Sequence, residues 1–452
     1  MPTHNLSKGL DLPIAGDPIQ RIEPGPAVTR VALLGADYVG LAPGLRVQPG
    51  DAVLRGQPLF EDKKRPGVIH TAPASGIVAA VHRAERRAFV SLAIDVAAGD
   101  GPGAQVEFAS WTGRPPADGA GVTALLVESG LWTALRERPF GRVPLPGTAP
   151  RALFVTAMDT RPHAPRVEVA LAGREADFEA GILALTTLTP GPVHVCKAAG
   201  SPLPVPAAPR VSAAEFAGPH PAGNAGTHIH FLHPVAAGRV VWHVGAQDVA
   251  AIGRLVTAGR LEVERIVALA GPGVARGRLV RTRLGASLEE LTAGELAPGE
   301  QRVVSGSVLD GRAAGGVATA FLGRYHQQVS ALPEGRAREL LGWIAPGRDK
   351  FSVTGAVLGA FARARKRAFT TTTNGSPRAM VPIGTYESVM PLDILPTFLL
   401  RALLTGDLER AEALGALELE EEDLALCTYA CPGKNDYGPL LRAMLSRLEK
   451  EA

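Results

Sequence analysis

Glycine and proline break the first hundred residues so often that no long helix fits there. From Val31 to about Ala97 the chain reads as short strands joined by tight turns. Val47-Gln-Pro-Gly-Asp-Ala-Val-Leu-Arg-Gly-Gln-Pro-Leu59 sets two glycines among apolar positions, and Thr71-Ala-Pro-Ala-Ser-Gly-Ile-Val78 repeats the arrangement. The same punctuation continues along the chain, with 52 Gly and 38 Pro and no collagen-like period. Hydrophobic residues still make up 46%, enough to fill proper cores. At 452 residues the chain exceeds what one core serves, so about two to four domains are expected.

The texture changes between Val122 and Leu261, where apolar runs alternate with helical stretches. Ala152-Leu-Phe-Val-Thr-Ala-Met158 and Gly191-Pro-Val-His-Val-Cys196 read as buried strands, Val167 to Leu185 as helical, and Gln247 to Val256 as a further helix. An α/β layer follows. From Val263 to about Tyr325 the order strand, strand, helix, strand resembles the β-grasp module called soluble-ligand-binding. The strands are expected around Arg265, Arg278 to Thr282 and Gln301 to Val308, and the helix over Ser287 to Leu291. Prolines at 377, 382, 391 and 396 then keep the chain extended or turning until Pro396, which suits a first helical turn. A helix with acids in its first turn is expected within Leu417 to Lys434, stopped by Pro432 and Gly433, and a helical tail from Tyr437 to Leu448.

The expected architecture is therefore α+β and multidomain. Residues 1–100 form an N-terminal segment and a domain resembling the biotinyl/lipoyl-like barrel-sandwich hybrid. Residues 101–261 form a Rossmann-like α/β domain, 262–330 a β-grasp domain, 331–390 a Pro/Gly-rich crossing region, and 391–452 a helical domain.

Composition excludes several functions. A formal charge of +3, with basic and acidic residues interspersed, gives no electrostatic footprint for nucleic acid. Three cysteines, Cys196, Cys427 and Cys431, argue against a disulfide scaffold and fall short of the about four ligands of an iron–sulfur cluster. The first residues lack a signal-peptide core, and no run of about 18 apolar residues occurs, so no spanning helix is expected. Gly99-Asp-Gly-Pro-Gly103 is a linker by its internal proline, and no Gly-x-Gly-x-x-Gly turn follows a strand, so neither NADH nor flavin is expected on this chain.

Two clusters remain. His220, His228, His230, His233 and His243 fall together, and on a strand His228 and His230 would share a side; the reading is loop and backbone hydrogen bonding, with no metal. Arg363-Ala-Arg-Lys-Arg367 is the one dense basic run, read as a solvated face, with anionic lipid or an acidic partner surface as the sharper reading.

Five blocks resemble one family, the NqrA subunits of the sodium-translocating NADH:quinone reductase of bacterial respiration. They are Lys8 to Gly16, Pro219 to Phe231, Ile344 to Ser352, Ser376 to Pro396 and Leu417 to Lys434. The resemblance implies a peripheral protein on the cytoplasmic side of the inner membrane, docked on subunits B to F, which would carry the NADH, flavin, iron–sulfur and sodium sites. It would take part in reducing ubiquinone to ubiquinol, coupled to Na+ export, with no catalytic residue and no bound cofactor of its own. Covalent flavin is not expected, because Val353-Thr-Gly-Ala-Val357 ends in a residue without a hydroxyl.

If quinone touches this chain, it wants apolar walls and one or two donors at a domain junction. Trp132 and Phe140 are the candidate walls, and Arg136, Arg138 and Tyr38 the candidate donors. Two alternatives differ in class. An RnfC-like electron-input protein would need cysteine runs and a flavin loop that this chain lacks. A lipoyl-type carrier would modify Lys63 or Lys64 within Glu61-Asp-Lys-Lys64.

Overall fold

The computed structural model describes residues 3–101, 103–236, 238–337, 342 and 344–451. In the N-terminal part, a four-stranded sheet in the order Arg30–Leu34, Phe89–Val96, Gly76–Arg83, Ala52–Val53 faces a three-stranded sheet of Pro43–Leu45, Pro58–Asp62 and Ile69–Thr71. Val31, Leu59, Phe60, Val78, Leu92 and Ile94 fill the space between them. Lys63 and Lys64 stand exposed on the turn after Pro58–Asp62.

The α/β part is a six-stranded sheet ordered Thr3–Asn5, Val211–Ala217, Val193–Ala198, Leu153–Ala157, Val241–Gly245, Arg136–Arg138. All pairings are parallel except the last, where Arg136 lies opposite His243. The helices Glu175–Leu185 and Ala246–Ala258 pack against each other at backbone contact. Their closeness requires glycine: a Cβ on Gly181 would sit 2.0 Å from the Val249 carbonyl, and one on Gly253 1.7 Å from that of Asp177.

A second six-stranded sheet runs Arg312–Ala313, Gln301–Ser305, Gln328–Pro333, Glu264–Ala270, Arg278–Arg283, Ile19–Pro24. The chain's first residues thus staple two sheets before the barrel begins. Thr3–Asn5 extends the α/β sheet and Ile19–Pro24 pairs with Arg278–Arg283. The C-terminal part is helical: Thr385–Val389, Pro396–Thr405, Leu408–Ala413, Ala425–Ala430 and Tyr437–Glu451 enclose Leu399, Leu400, Leu424, Leu441 and Leu445. Pro396 opens its helix at the first turn. Cys427 and Cys431 lie buried in this core, where the Tyr386 and Tyr437 hydroxyls lie 3.1 and 3.4 Å from the Cys431 sulfur.

The structure corrects two sequence readings. Ala225–Leu232 is a helix, not a strand, so His228 and His230 point to different neighbours. His228 Nε2 meets the Ala222 carbonyl at 3.0 Å, while His230 Nδ1 meets Glu418 at 2.8 Å. Nor is the basic run wholly solvated. Arg367 is buried and donates to the carbonyls of Gly359 and Ala362, both at 3.0 Å.

Gly253→Ala forces helix backbone apart and is expected to lower stability by at least about 2 kcal/mol in urea unfolding. Gly99→Ala, where a Cβ meets nothing within 4 Å, is expected to change stability little.

Candidate functional site

The strand Leu153–Ala157 has Val193–Ala198 on one side and Val241–Gly245 on the other, with chain connections leaving in opposite directions. Such a reversal opens a crevice at the carboxyl ends of parallel strands. Thr156, Met158 and Asp159 emerge there from one strand, and Gly245, Ala246 and Gln247 from the other. Gly245 is the N-cap of Ala246–Ala258 and supplies no side chain to its free N–H groups. A Cβ at this glycine would meet open space, so the opening is not filled.

The crevice widens into a cavity of about 390 Å³ lined by the barrel, the α/β part, the second six-stranded sheet and the helical part. The barrel contributes Asp37, the α/β part Arg136, Arg161 and His243, the second six-stranded sheet Asp310, Arg312, Tyr325 and Gln328, and the helical part Glu420 to Glu422 and Arg442. The Arg136 guanidinium lies over the Tyr325 ring, 4.6 Å from its centre. The Tyr325 hydroxyl donates to the Thr133 carbonyl at 2.8 Å, which fixes the ring as a wall.

Most charges here are already matched. Arg161 reaches Asp310 at 2.7 Å, Glu422 at 2.6 Å and Asp159 at 3.3 Å. Arg312 pairs with Asp37, and Arg442 pairs with Glu421 at 2.6 Å and donates to the Phe140 carbonyl. Arg136 is held least, with Glu420 at 3.4 Å. Behind the wall, fully buried Arg138 meets Asp423 at 2.7 Å, Glu420 and Glu422 at 3.3 Å, and the Glu418 carbonyl at 2.9 Å. Burial opposes ionisation of Glu422, yet Arg161 and Arg136 outweigh it and hold its carboxyl below the usual range. At Asp423 burial wins over Arg138, and the carboxyl is pushed up.

Two buried polar atoms in the lining have neither a hydrogen bond nor an ion pair among the described residues: His243 Nε2 and Gln328 Oε1. Burial, then Arg136 and Arg138, push the His243 imidazole well below its ordinary value, so it stays neutral. These two atoms are the polar groups left unpaired beside the cavity: a neutral ring nitrogen and an amide oxygen, both buried.

Of the five residues singled out from sequence, Arg136 lies on this cavity and Arg138 just behind it. Tyr38 is buried against the outer side of the wall, its ring 6.2 Å from Tyr325 and 4.3 Å from His70, beside a separate cavity of about 50 Å³. Trp132 is 1% exposed; its indole N–H donates to the Pro144 carbonyl at 2.7 Å and its ring meets Trp242 edge to face. Phe140 packs on the C-terminal helical core. His243 stands out in the sequence only as one of a histidine cluster, and Tyr325 and Gln328 do not stand out at all. The polar run Arg324-Tyr-His-Gln-Gln328 beside a strand was the available signal.

A barrel-sandwich domain joined to an α/β sheet, with a ligand-sized cleft where the parts meet, defines a multidomain α+β protein built around a shared junction. Residues 4–97 match the model of the NqrA N-terminal barrel-sandwich hybrid domain, 84–261 the NqrA second alpha/beta domain, and 266–316 the NQRA C-terminal domain. The chain is 56% identical over 446 residues to the NqrA subunit of the Na(+)-translocating NADH-quinone reductase of Klebsiella pneumoniae, covering 99% of both. It is 56% identical over 451 residues to that of Serratia proteamaculans and 54% over 448 to that of Neisseria gonorrhoeae, again covering 99% of each. The chain belongs to the NqrA family of Na(+)-translocating NADH-quinone reductase subunits.

Two outcomes are expected. Arg138→Leu leaves Asp423 buried without a cation and Glu420 and Glu422 each with one fewer, and is expected to cost about 3–5 kcal/mol at neutral pH. The deficit should shrink on acidification, as those carboxyls take up protons. His228 is held down at about 3 by burial. The unfolded chain therefore takes the proton first, so this contribution is full above the ordinary value of 6.5 and drains as pH falls toward 3. His228→Gln should flatten the stability profile by about 1.4 kcal/mol per pH unit between about pH 6 and 4, read by urea unfolding at stepped pH.

Proposed function

We propose that this chain is a peripheral component of a sodium-translocating NADH:ubiquinone reductase, held on the cytoplasmic side of the membrane by subunits B to F. Whole-length kinship with NqrA proteins carries the reading. No helix among the described residues is long and apolar enough to cross a membrane, in keeping with a peripheral place. NADH oxidation, flavin and iron–sulfur electron transfer and Na+ movement belong to the partner subunits on this reading. The residues of this chain hold and position, and none acts as acid, base or nucleophile. The division into barrel-sandwich, Rossmann-like, β-grasp, crossing and helical parts at residues 100, 261, 330 and 390 belongs to the same reading.

The ubiquinone head, a flat ring with two acceptor carbonyls, suits the central cavity in size and chemistry. Arg136 would donate to one carbonyl, the Tyr325 ring would supply a flat wall, and His243 Nε2, protonated in the neutral tautomer, would donate to the other. Tyr38, Arg138, Trp132 and Phe140 support that wall from behind or at a distance. The RnfC-like and lipoyl-carrier alternatives lack the kinship that supports this reading.

Arg136→Leu and His243→Leu, which remove the donor, are each expected to raise the KM for quinone in the assembled complex about tenfold, as loss of one hydrogen bond implies. Complex with either substitution that matches the native KM would remove quinone from this cavity. Failure of the native chain to co-purify with flavin-bearing membrane subunits would overturn the subunit reading itself.

A further inference from the structure

The segment from Ile344 to Arg367 plays no part in the cavity, yet it carries an unusual surface. Ile344 is 58% exposed, Leu358 51% and Phe361 91%. Leu358 and Phe361 lie on the short 3-10 helix Leu358–Ala362, immediately before the basic run. Between residues 344 and 367 the sequence has six basic residues against one acidic, in a chain whose overall formal charge is only +3.

This lobe has a defined local structure. The Leu358 N–H donates to the Pro346 carbonyl at 2.9 Å and that of Gly359 to the Gly347 carbonyl at 3.1 Å, which folds the two arms together. Gly359 has no room for a side chain, since a Cβ would lie 1.9 Å from the Lys350 carbonyl. Buried Arg367 ties the base of the lobe to the body, its backbone N–H donating to the Pro13 carbonyl at 2.8 Å. Held in this way, Leu358 and Phe361 are turned outward beside the arginines.

Surface ion pairs account for part of the charge: Arg365 meets Asp349 at 2.7 Å and Lys366 meets Asp17 at 3.0 Å. Both pairs are solvent-exposed and therefore weak. Arg348 and Arg363 are exposed and have no ion pair among the described residues. Single exposed apolar residues are ordinary, but an almost bare phenylalanine with an exposed leucine on the same short helix, next to a basic run, is a different pattern.

We propose that the lobe 344–367 seats directly on an anionic lipid surface, with Phe361 and Leu358 entering the headgroup layer and Arg348 and Arg363 meeting lipid phosphates. Aromatic side chains settle at the bilayer interface, and basic residues are drawn to anionic lipid within a Debye length. The pairing of apolar tip and cationic collar matches both layers of that surface. A purely acidic protein patch would match the collar and leave Phe361 in water.

The test uses the full-length chain and sedimentation with vesicles of phosphatidylcholine alone or mixed with phosphatidylglycerol. Binding is expected to the mixed vesicles only, weakening as salt rises. Phe361→Ser should lower partition about tenfold, and Arg348→Gln with Arg363→Gln about fivefold per charge removed. All three side chains are exposed, and an unchanged melting temperature will show that folding is intact. No binding to anionic vesicles, equal binding to neutral ones, or binding that ignores both variants would overturn the proposal. Retention of the chain only by membranes containing protein would likewise assign the lobe to a protein partner instead. Because the vesicles contain no protein, failure here leaves the subunit reading untouched.

Discussion

The guanidinium of Arg138 is wholly buried, and a buried cation must be matched or the structure will not hold it. Its partners Glu420, Glu422 and Asp423 come from the far end of the chain. This one residue at the antiparallel edge of the α/β sheet therefore fixes where the helical part can sit. Arg161 extends the join by reaching Glu422 from the helical part and Asp310 from the second six-stranded sheet. The pairs make less of a stability argument than a positional one, since desolvation offsets much of their attraction.

The cavity is the consequence of that arrangement. A reversal of strand order opens a crevice at the ends of Leu153–Ala157 and Val241–Gly245, and the docked carboxylate segment roofs it. Arginines that would otherwise attract anions into the space are already paired, Arg136 least closely, with Glu420 at 3.4 Å and its guanidinium over Tyr325. His243 and Gln328 line it as uncharged side chains, each with a buried polar atom that has no partner among the described residues.

Local pattern carried much of the fold. The run Ala152 to Met158 contains the strand Leu153–Ala157, the helix expected from Gln247 is Ala246–Ala258, and Pro396 does open its helix. What sequence could not show were pairings set by distant parts of the chain. Thr3–Asn5 joins Val211–Ala217, and nothing in a three-residue segment announces a partner so far along. The histidines at 228 and 230 look like alternate residues of a strand, but Pro221 to Asn224 feed a helix instead. Of the donors read from sequence, Arg136 and Arg138 share one edge strand, Arg136 on the cavity and Arg138 behind it. An aromatic near a domain boundary reads the same in sequence whether it lines a cavity or, like Trp132, packs against another ring, here Trp242.

Hydrogen exchange followed by mass spectrometry tests the central role of Arg138 most directly. If the buried network joins the parts, Arg136 to Arg138 and Glu420 to Leu424 should be protected together, to the level of the α/β sheet. That protection should persist in about 1 M salt, because buried charges are little screened. Rapid exchange across Glu420 to Leu424, or protection there that salt removes while the sheet stays closed, would contradict the account.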